Sequence, residues 1–182
     1  MKLTVGDKVP DFKVTTQNRK AFQIHDVIDK KTVFWVIRYI GCTVCRYDVH
    51  LLQEKYDEIA DKGVNLFVVM QSDVEHVRND LKEVKLPFEI ICDPEQVIYE
   101  TLEIKPAGSK EELAGDGLEK LRAKGTKARE AGFSHGDYEG NELQLPALFI
   151  VDEQARVIYS HYGKNIVDMP SVDELIELLG TL

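Results

Sequence analysis

Two cysteines separated by two residues lie where a fully apolar run gives way to a helical pattern. The run is Val-Phe-Trp-Val-Ile at residues 33–37, the cysteines are Cys42 and Cys45, and the helical pattern begins near Arg46. An apolar run of this length is typical of a strand covered on both faces. A Cys-x-x-Cys pair at a strand-to-helix turn brings two sulfurs together at the positive end of the helix, which favours thiolate. The motif predicts a redox-active dithiol.

Strand and helix patterns alternate along most of the chain. After a short edge strand at 9–14, strands are expected at 33–37, 66–70, 88–91, 147–151 and 157–161, and helices at 45–59, 74–84, 97–102 and from 171 onward. The last helix has a capping box, in which Ser171 is followed three residues later by Glu174. Alternation predicts a parallel core, and the final hairpin adds antiparallel strands. The order matches an α/β, thioredoxin-like fold with a mixed central sheet flanked by helices.

Length and charge limit the classes of function. A chain of 182 residues fits one domain, 1–182. A net charge of -9 argues against nucleic acid and anionic membrane surfaces as partners. There is no signal-peptide pattern and no apolar stretch of membrane-spanning length. Three cysteines are too few for a disulfide scaffold, so we expect a cytoplasmic protein. The oligomeric state is left open.

Residues 105–140 interrupt the alternation. Seven of the twelve glycines lie there, among many charged residues. We expect a helix around 111–124 and loop elsewhere, and we treat the whole segment as an insertion in the domain.

The helical pattern distinguishes the two cysteines. Cys45 is in register with Val49 and Leu52, so it should face inward, whereas Cys42 precedes the helix and should be the more exposed sulfur. The expectation is that Cys42 attacks and Cys45 resolves. Arg38 and Arg46 flank the motif and would lower a thiol pKa, although solvated surface arginines are the simpler alternative.

Pro146 begins a late strand, after Leu-Gln-Leu at residues 143–145. In a thioredoxin-like sheet this is the place where a cis-proline faces the dithiol and leaves backbone groups free for a substrate. We therefore expect a cis peptide bond here, against the alternative of an ordinary strand-initial proline.

Cys92 and His135 are candidates of a weaker kind. Cys92 ends a strand, where a buried core thiol is the simplest interpretation and a second resolving cysteine the alternative. His135 lies in the insertion, where an exposed loop histidine competes with an acid/base role. A zinc site would need the three cysteines and a histidine to converge, and one Cys-x-x-Cys is weak evidence for it. We expect neither a metal nor a bound cofactor.

Several segments resemble the peroxiredoxins. They are residues 5–12 (Val-Gly-Asp-Lys-Val-Pro-Asp-Phe), 86–88 with 92–94 (Leu-Pro-Phe and Cys-Asp-Pro), and 149–152 (Phe-Ile-Val-Asp). The resemblance covers most of the chain outside 105–140 and implies the alkyl hydroperoxide reductase/thiol-specific antioxidant (AhpC/TSA) superfamily, with its N-terminal extension. Residues 139–152, the Cys-x-x-Cys pair and the insertion are similar to a peroxiredoxin-like subgroup. Its members are described as redox or antioxidant proteins, and one branch as endoperoxide reductases.

The chain departs from the peroxiredoxin motif. Peroxiredoxins carry a proline, a threonine four residues later and the peroxidatic cysteine three after that; here these positions are Arg38, Cys42 and Cys45. The late-strand arginine that supports the peroxide aligns with Pro146. By this resemblance the peroxidatic cysteine would be Cys45, and a thioredoxin-style dithiol and proline replace the usual set.

Three functions remain open. The first is a thiol oxidoreductase in which Cys42 attacks a disulfide or peroxide, Cys45 resolves, and a thioredoxin- or glutathione-type donor restores the dithiol. The second is a peroxidase with Cys45 as the peroxidatic residue and Cys42 or Cys92 resolving. The third is a redox sensor or partner-binding module without turnover, with the segment 105–140 as the part that rearranges.

Overall fold

A five-stranded mixed sheet organises the molecule in the computed structural model, which describes all 182 residues. The seven strands are β1 (Lys13–Val14), β2 (Phe22–Gln23), β3 (Thr32–Val36), β4 (Asn65–Met70), β5 (Glu89–Cys92), β6 (Ala147–Val151) and β7 (Val157–Tyr162). The central sheet has the order β5-β4-β3-β6-β7, and β1 and β2 form a separate antiparallel pair. The strands β3, β4 and β5 are parallel, whereas β6 and β7 run antiparallel to their neighbours. The mixed α/β sheet expected from the sequence is confirmed.

Seven helices flank the sheet. They are α1 (Thr43–Glu54), α2 (Tyr56–Ala60), α3 (Val74–Asp80), α4 (Val97–Thr101), α5 (Lys110–Ala114), α6 (Leu118–Glu130) and α7 (Val172–Thr181), with short 3-10 turns at Ile24–Val27 and Gly115–Gly117. The helix expected over 45–59 is divided in two, because the backbone leaves helical geometry at Lys55. The capping box of α7 is formed by Ser171 and Glu174 as expected. None of the helices combines the length and apolar character needed to cross a bilayer.

Each face of the sheet covers its own hydrophobic core. Every residue of β3 is buried, so alternate side chains enter opposite cores. Trp35 belongs to the core that also contains the inward residues of α1 and α7. Phe34 belongs to the other core, which the N-terminal segment and α4 cover. Helices and loops on both faces explain why the strands read as continuous apolar runs.

The N-terminal edge strand and the insertion differ in extent from the expectation. Only Lys13 and Val14 of the expected strand at 9–14 are paired. The expected helix at 111–124 is two helices, α5 and α6, and α6 continues to Glu130, so the prediction of loop beyond residue 124 is wrong there. The helix α6 packs against α1, with Gly125 and Ala128 buried. This contact places part of the insertion beside the cysteine-bearing helix.

Candidate active site

The two cysteines lie at the first turn of α1. The chain leaves β3 at Val36 and forms a tight turn in which the Cys42 N–H donates to the Tyr39 carbonyl at 3.1 Å. Cys42 is the N-cap of α1, and its sulfur accepts a hydrogen bond from the backbone N–H of Cys45 at 3.4 Å. Both thiols are free. The Cys42 sulfur therefore occupies the position of a capping acceptor, where helix geometry stabilises a negative charge.

Both sulfurs are shielded from solvent. Cys45 is 3% exposed and belongs to the core, as its helical register predicted. The expectation that Cys42 is the more exposed sulfur is wrong, because Cys42 is 0% exposed. The residues before α1 do not form an open turn, since they fold under the loop 133–143. An oxidant can reach Cys42 only if this cover opens.

Arg38 makes direct contact with the Cys42 sulfur. One guanidinium nitrogen, Nη2, donates to Cys42 Sγ at 3.0 Å. The other terminal nitrogen, Nη1, donates to the carbonyl of Glu142, and the guanidinium lies 5.1 Å from the centre of the Tyr39 ring. Burial alone would lower the pKa of Arg38, but the neighbouring dithiol and the hydrogen bond to Cys42 hold it above its usual value. The predicted supporting role of Arg38 thus has a geometric basis.

The environment of Cys42 favours its thiolate. Burial alone would raise the pKa of Cys42, but hydrogen bonds from Cys45 and the charge of Arg38 outweigh it and bring the pKa to about 6. Burial raises the pKa of Cys45 well above its usual value, and the hydrogen bond to Cys42 and its charge raise it further. The pKa values of the two neighbouring thiols are thus shifted in opposite directions, and Cys42 is the more readily ionised of the two.

A buried ion pair lies beside Cys45. Asp48 follows Cys45 by three residues on α1, which places both on one face of the helix. The Lys124 ammonium, which comes from α6, is 2.5 Å from Asp48 Oδ1, and both side chains are largely buried. The pKa of Lys124 is raised, since the charge of Asp48 outweighs the effect of burial, and the cysteines contribute in the same direction. The charges of the pair thus act on the dithiol.

Arg46 and Pro146 do not have the expected roles. Arg46 Nε donates to Asp80 Oδ1 at 2.6 Å, and its guanidinium lies 4.7 Å from the Phe133 ring centre. The arginine therefore anchors the start of the loop 133–143 and does not support a sulfur. Pro146 precedes β6 as predicted, but no peptide bond in the chain is cis, so the expectation of a cis-proline is wrong. The Pro146 carbonyl accepts from Gly163 N–H at 2.8 Å, a contact that belongs to the hairpin.

The loop 133–143 packs against the turn that precedes α1, through contacts with Gly41 and Tyr39. Gly136 N–H donates to the Gly41 carbonyl at 2.8 Å, and a Cβ on Gly41 would lie 2.3 Å from the Asp137 carbonyl oxygen. His135 Nε2 is 3.2 Å from the Tyr39 hydroxyl. His135 is thus near the motif, on the outer side of Tyr39, and makes no hydrogen bond to either sulfur.

Cys92 lies apart from the dithiol, at the end of β5. Its thiol is buried and donates to the carbonyl of Ile90 at 3.6 Å. Burial raises the pKa of Cys92 to about 12, so this thiol is a poor nucleophile at neutral pH. The simple interpretation of a buried core thiol fits these facts. The cysteines and His135 do not form a group of metal ligands.

The comparisons with known proteins identify the family. The family model described as AhpC/TSA family matches residues 5–160. The chain belongs to the AhpC/TSA family. No curated protein matched the sequence individually. Membership makes this chain a thiol-dependent oxidoreductase with antioxidant function, which exchanges electrons between redox partners and oxidants such as peroxides.

Solved structures of peroxiredoxins share the fold at low sequence identity. A mutant of peroxiredoxin 6 from Arenicola marina is 14% identical, with a TM-score of 0.71 over 98% of this chain and 72% of that one. The peroxidoxin BcpB from Mycobacterium tuberculosis is 11% identical, with a TM-score of 0.69 over 98% and 97%. A peroxiredoxin-like protein from Aquifex aeolicus is 17% identical, with a TM-score of 0.66 over 100% and 88%.

Two groups near the site escaped the sequence analysis of this AhpC/TSA protein. Asp48 could have been found from the sequence, because a carboxylate three residues after an inward-facing cysteine lies on the same face of the helix. Lys124 had none, because it is one of many charged residues in the insertion and only the packing of α6 on α1 brings it to the site. The cover formed by 133–143 is likewise a tertiary contact.

Proposed function

We propose that this protein reduces peroxides or disulfides through Cys42, with Cys45 as the resolving cysteine. The observation that carries the proposal is the contact between the Arg38 guanidinium and the Cys42 sulfur at 3.0 Å. It supports a thiolate at Cys42, whose pKa is about 6, while Cys45 stays protonated. At neutral pH the dithiol would carry one negative charge, on the attacking sulfur.

In the peroxide reaction the Cys42 thiolate attacks one peroxide oxygen. The S–O bond forms, the O–O bond breaks, and the departing oxygen takes a proton to leave as alcohol or water. Cys42 is then a sulfenic acid. The Cys45 sulfur loses its proton and attacks the Cys42 sulfur, which expels hydroxide as water and leaves the Cys42–Cys45 disulfide. Arg38 stabilises the thiolate and the charge that develops on the departing oxygen.

In the disulfide reaction Cys42 forms a mixed disulfide with the substrate. One substrate thiolate leaves in the first step, and attack by Cys45 releases the second. Either cycle ends with the Cys42–Cys45 disulfide, which a donor of the thioredoxin or glutathione type reduces with two electrons and two protons. The reducing cytoplasm supplies such donors, and we propose it as the location.

The resolving step needs a base for the Cys45 proton. Asp48 is the nearest carboxylate on the same face of α1 as Cys45, and it is buried. We assign it this role, with Lys124 balancing its charge at 2.5 Å. A buried carboxylate without a counter-ion would be costly, and the Lys124 ammonium supplies that counter-ion.

Cys45 as the peroxidatic residue is the second candidate. The spacing of the peroxiredoxin motif favours it, since Cys45 takes the position of the peroxidatic cysteine. The raised pKa of Cys45 argues against it, and so does the hydrogen bond of Arg38, which goes to the Cys42 sulfur. A redox sensor without turnover is the third candidate, and it would form the disulfide but pass no electrons onward.

Trapping the intermediate distinguishes these candidates. The single variants Cys42→Ser and Cys45→Ser are reduced, treated with peroxide and with a small disulfide, and analysed by mass spectrometry with a sulfenic-acid trap. The proposal expects an adduct on Cys42 in Cys45→Ser and none in Cys42→Ser. An adduct only on Cys45 would support the peroxidatic alternative. Disulfide formation without turnover in the presence of thioredoxin or glutathione systems would favour the sensor.

A further inference from the structure

A second group of ionisable side chains joins α3 to the loop 133–143, away from the cysteines. Asp73 is the N-cap of α3, and His76 lies in its first turn. His76 Nδ1 is 2.8 Å from Asp73 Oδ1 and 3.3 Å from Glu139 Oε2. The ligand atoms of these three residues lie within 4.8 Å of one another. Two segments distant in sequence thus point one nitrogen and two carboxylates at a common point.

The other imidazole nitrogen has its own carboxylate partner. His76 Nε2 is 3.1 Å from Asp137 Oδ2. A carboxylate in this position fixes the ring orientation and leaves Nδ1 directed at Asp73 and Glu139. Histidines that bind metals in proteins usually have such an outer carboxylate or carbonyl partner.

The Glu139 carboxylate provides independent evidence for a ligand at this point. Its side chain is only 10% exposed. Oxygen Oε2 accepts the backbone N–H of Asp73 at 3.0 Å, whereas Oε1 is buried and has no hydrogen-bond partner. Leaving a carboxylate oxygen buried and unpaired is costly, and structures normally avoid it. A cation bound by both oxygens of the Glu139 carboxylate would satisfy it.

Negatively charged groups outnumber positively charged ones around His76. Three carboxylates, from Asp73, Asp137 and Glu139, face one imidazole. The nearby Arg78 directs its Nε to the Gln17 carbonyl at 3.0 Å instead. The negative charges of Asp73 and Glu139 add to burial in raising the pKa of Cys92, whereas the charge of Arg78 acts in the opposite direction.

We propose that Asp73, His76 and Glu139 form a binding site for a divalent cation of the zinc type. Nitrogen from His76 Nδ1 and oxygen from the two carboxylates suit Zn²⁺. Nδ1 lies 2.8 Å and 3.3 Å from the two carboxylate oxygens, so small side-chain shifts would bring all three atoms to the bond lengths of roughly 2.0–2.2 Å that a tetrahedral ion requires. The ion replaces the proton on Nδ1, and water completes the coordination. Nothing in this site depends on the assignment of the cysteines.

The ion would fasten the cover of the dithiol. Glu139 belongs to the same loop as Gly136 and Glu142, which contact Gly41 and Arg38. Bound metal would therefore hold 133–143 against α3 and restrict access to Cys42. The site is a place where metal availability acts on the redox centre through the loop.

Calorimetry with Zn²⁺ tests the proposal on the full chain carrying Cys42→Ser and Cys45→Ser, which removes competing thiolates. We expect one ion per chain with micromolar affinity. Substitution by Co²⁺ should give a visible spectrum without a thiolate charge-transfer band. Hydrogen exchange of 133–143 should slow when Zn²⁺ is present.

Two variants and a matched control make the result decisive. Glu139→Gln preserves shape, and His76→Gln removes the nitrogen ligand; each should weaken Zn²⁺ binding at least tenfold. His161→Gln is the control, because His161 also faces a carboxylate, Asp168 at 3.2 Å, outside this site. Circular dichroism verifies that each variant is folded. Absence of Zn²⁺ binding, or binding that both folded variants retain, would overturn the proposal.

Discussion

At the residue scale, the contact between Arg38 and the Cys42 sulfur makes the most direct claim. Arg38→Met removes both the hydrogen bond and the charge, so the pKa of Cys42 should rise by at least about one unit. From a starting pKa of about 6, a rise of one unit lowers the thiolate fraction at pH 7 roughly twofold and a rise of two units roughly tenfold, and the rate of alkylation should fall by the same factor. Arg38→Lys keeps the positive charge, so its rate of alkylation should fall less. Equal rates in wild type and Arg38→Met would show that the arginine does not activate the thiol.

The buried pair of Asp48 and Lys124 gives a second prediction at this scale. Asp48→Asn should slow formation of the disulfide after sulfenic acid has formed, by roughly a hundredfold, the size typical of a lost general base. Stopped-flow tryptophan fluorescence can follow this step. The variant also leaves Lys124 unpaired, which destabilises the fold by about 3–5 kcal/mol.

A double variant separates chemistry from stability at this pair. Asp48→Asn combined with Lys124→Met removes both charges and should recover much of the lost stability. The resolving step should nevertheless stay slow, because the base is still absent. Recovery of the rate together with stability would mean that Asp48 acts only through packing.

The sequence predicted the orientation of a residue within its own helix. It did not predict contacts between residues that are distant in sequence. The register of α1 predicted an inward Cys45, and that was confirmed. The same reasoning failed for Cys42, because its exposure depends on a loop nearly a hundred residues later. Flanking charge alone did not distinguish Arg38 from Arg46, since only the backbone direction decides which one reaches the sulfur.

At the scale of elements, the fit of the loop 133–143 on the turn before α1 depends on one glycine. A Cβ on Gly41 would lie 2.3 Å from the Asp137 carbonyl oxygen, so Gly41→Ala must displace the loop. Alkylation of Cys42 should then become severalfold faster. In Gly180→Ala the new Cβ has ordinary contacts, and the substitution should stabilise α7 slightly without changing that rate. Unchanged alkylation in Gly41→Ala would show that the loop does not control access.

The local sequence pattern predicted which strands and helices are present, but it did not predict where they end. The apolar runs predicted β3, β4 and β6 because these strands are covered on both faces. The helix α6 extended beyond its predicted end because its burial against α1 offsets a sequence rich in charge and glycine. The Pro146 carbonyl is hydrogen-bonded to Gly163 in the hairpin, and the peptide bond before Pro146 is trans. The expected cis-proline, which was inferred by analogy with the thioredoxin fold, was therefore wrong.

For the whole molecule, the stability of the reduced protein should depend on pH through Cys42. Its pKa is about 6 in the folded state, below its ordinary value of 9.0, so folding favours the thiolate. This contribution rises as pH increases from 6 to 8 and is lost as pH falls through 6. The free energy of unfolding of wild type minus that of Cys42→Ser should increase by roughly 2 kcal/mol over this range.

Urea denaturation under reducing conditions at both pH values measures this difference. Cys92→Ser is the control, because the pKa of Cys92 is raised to about 12 and this thiol stays protonated in both states up to about pH 8. A constant difference between wild type and Cys42→Ser would contradict an acidic thiol at Cys42.

The direct measurement of the central claim is a titration of thiolate absorbance against pH. Reduced wild type, Cys42→Ser and Cys45→Ser are compared, and absorbance reports ionisation even for a buried sulfur. The account predicts a thiolate with a midpoint near pH 6 in wild type and in Cys45→Ser, and none in Cys42→Ser until the solution is strongly alkaline. An acidic thiolate that persists in Cys42→Ser would contradict it and assign the attacking sulfur to Cys45.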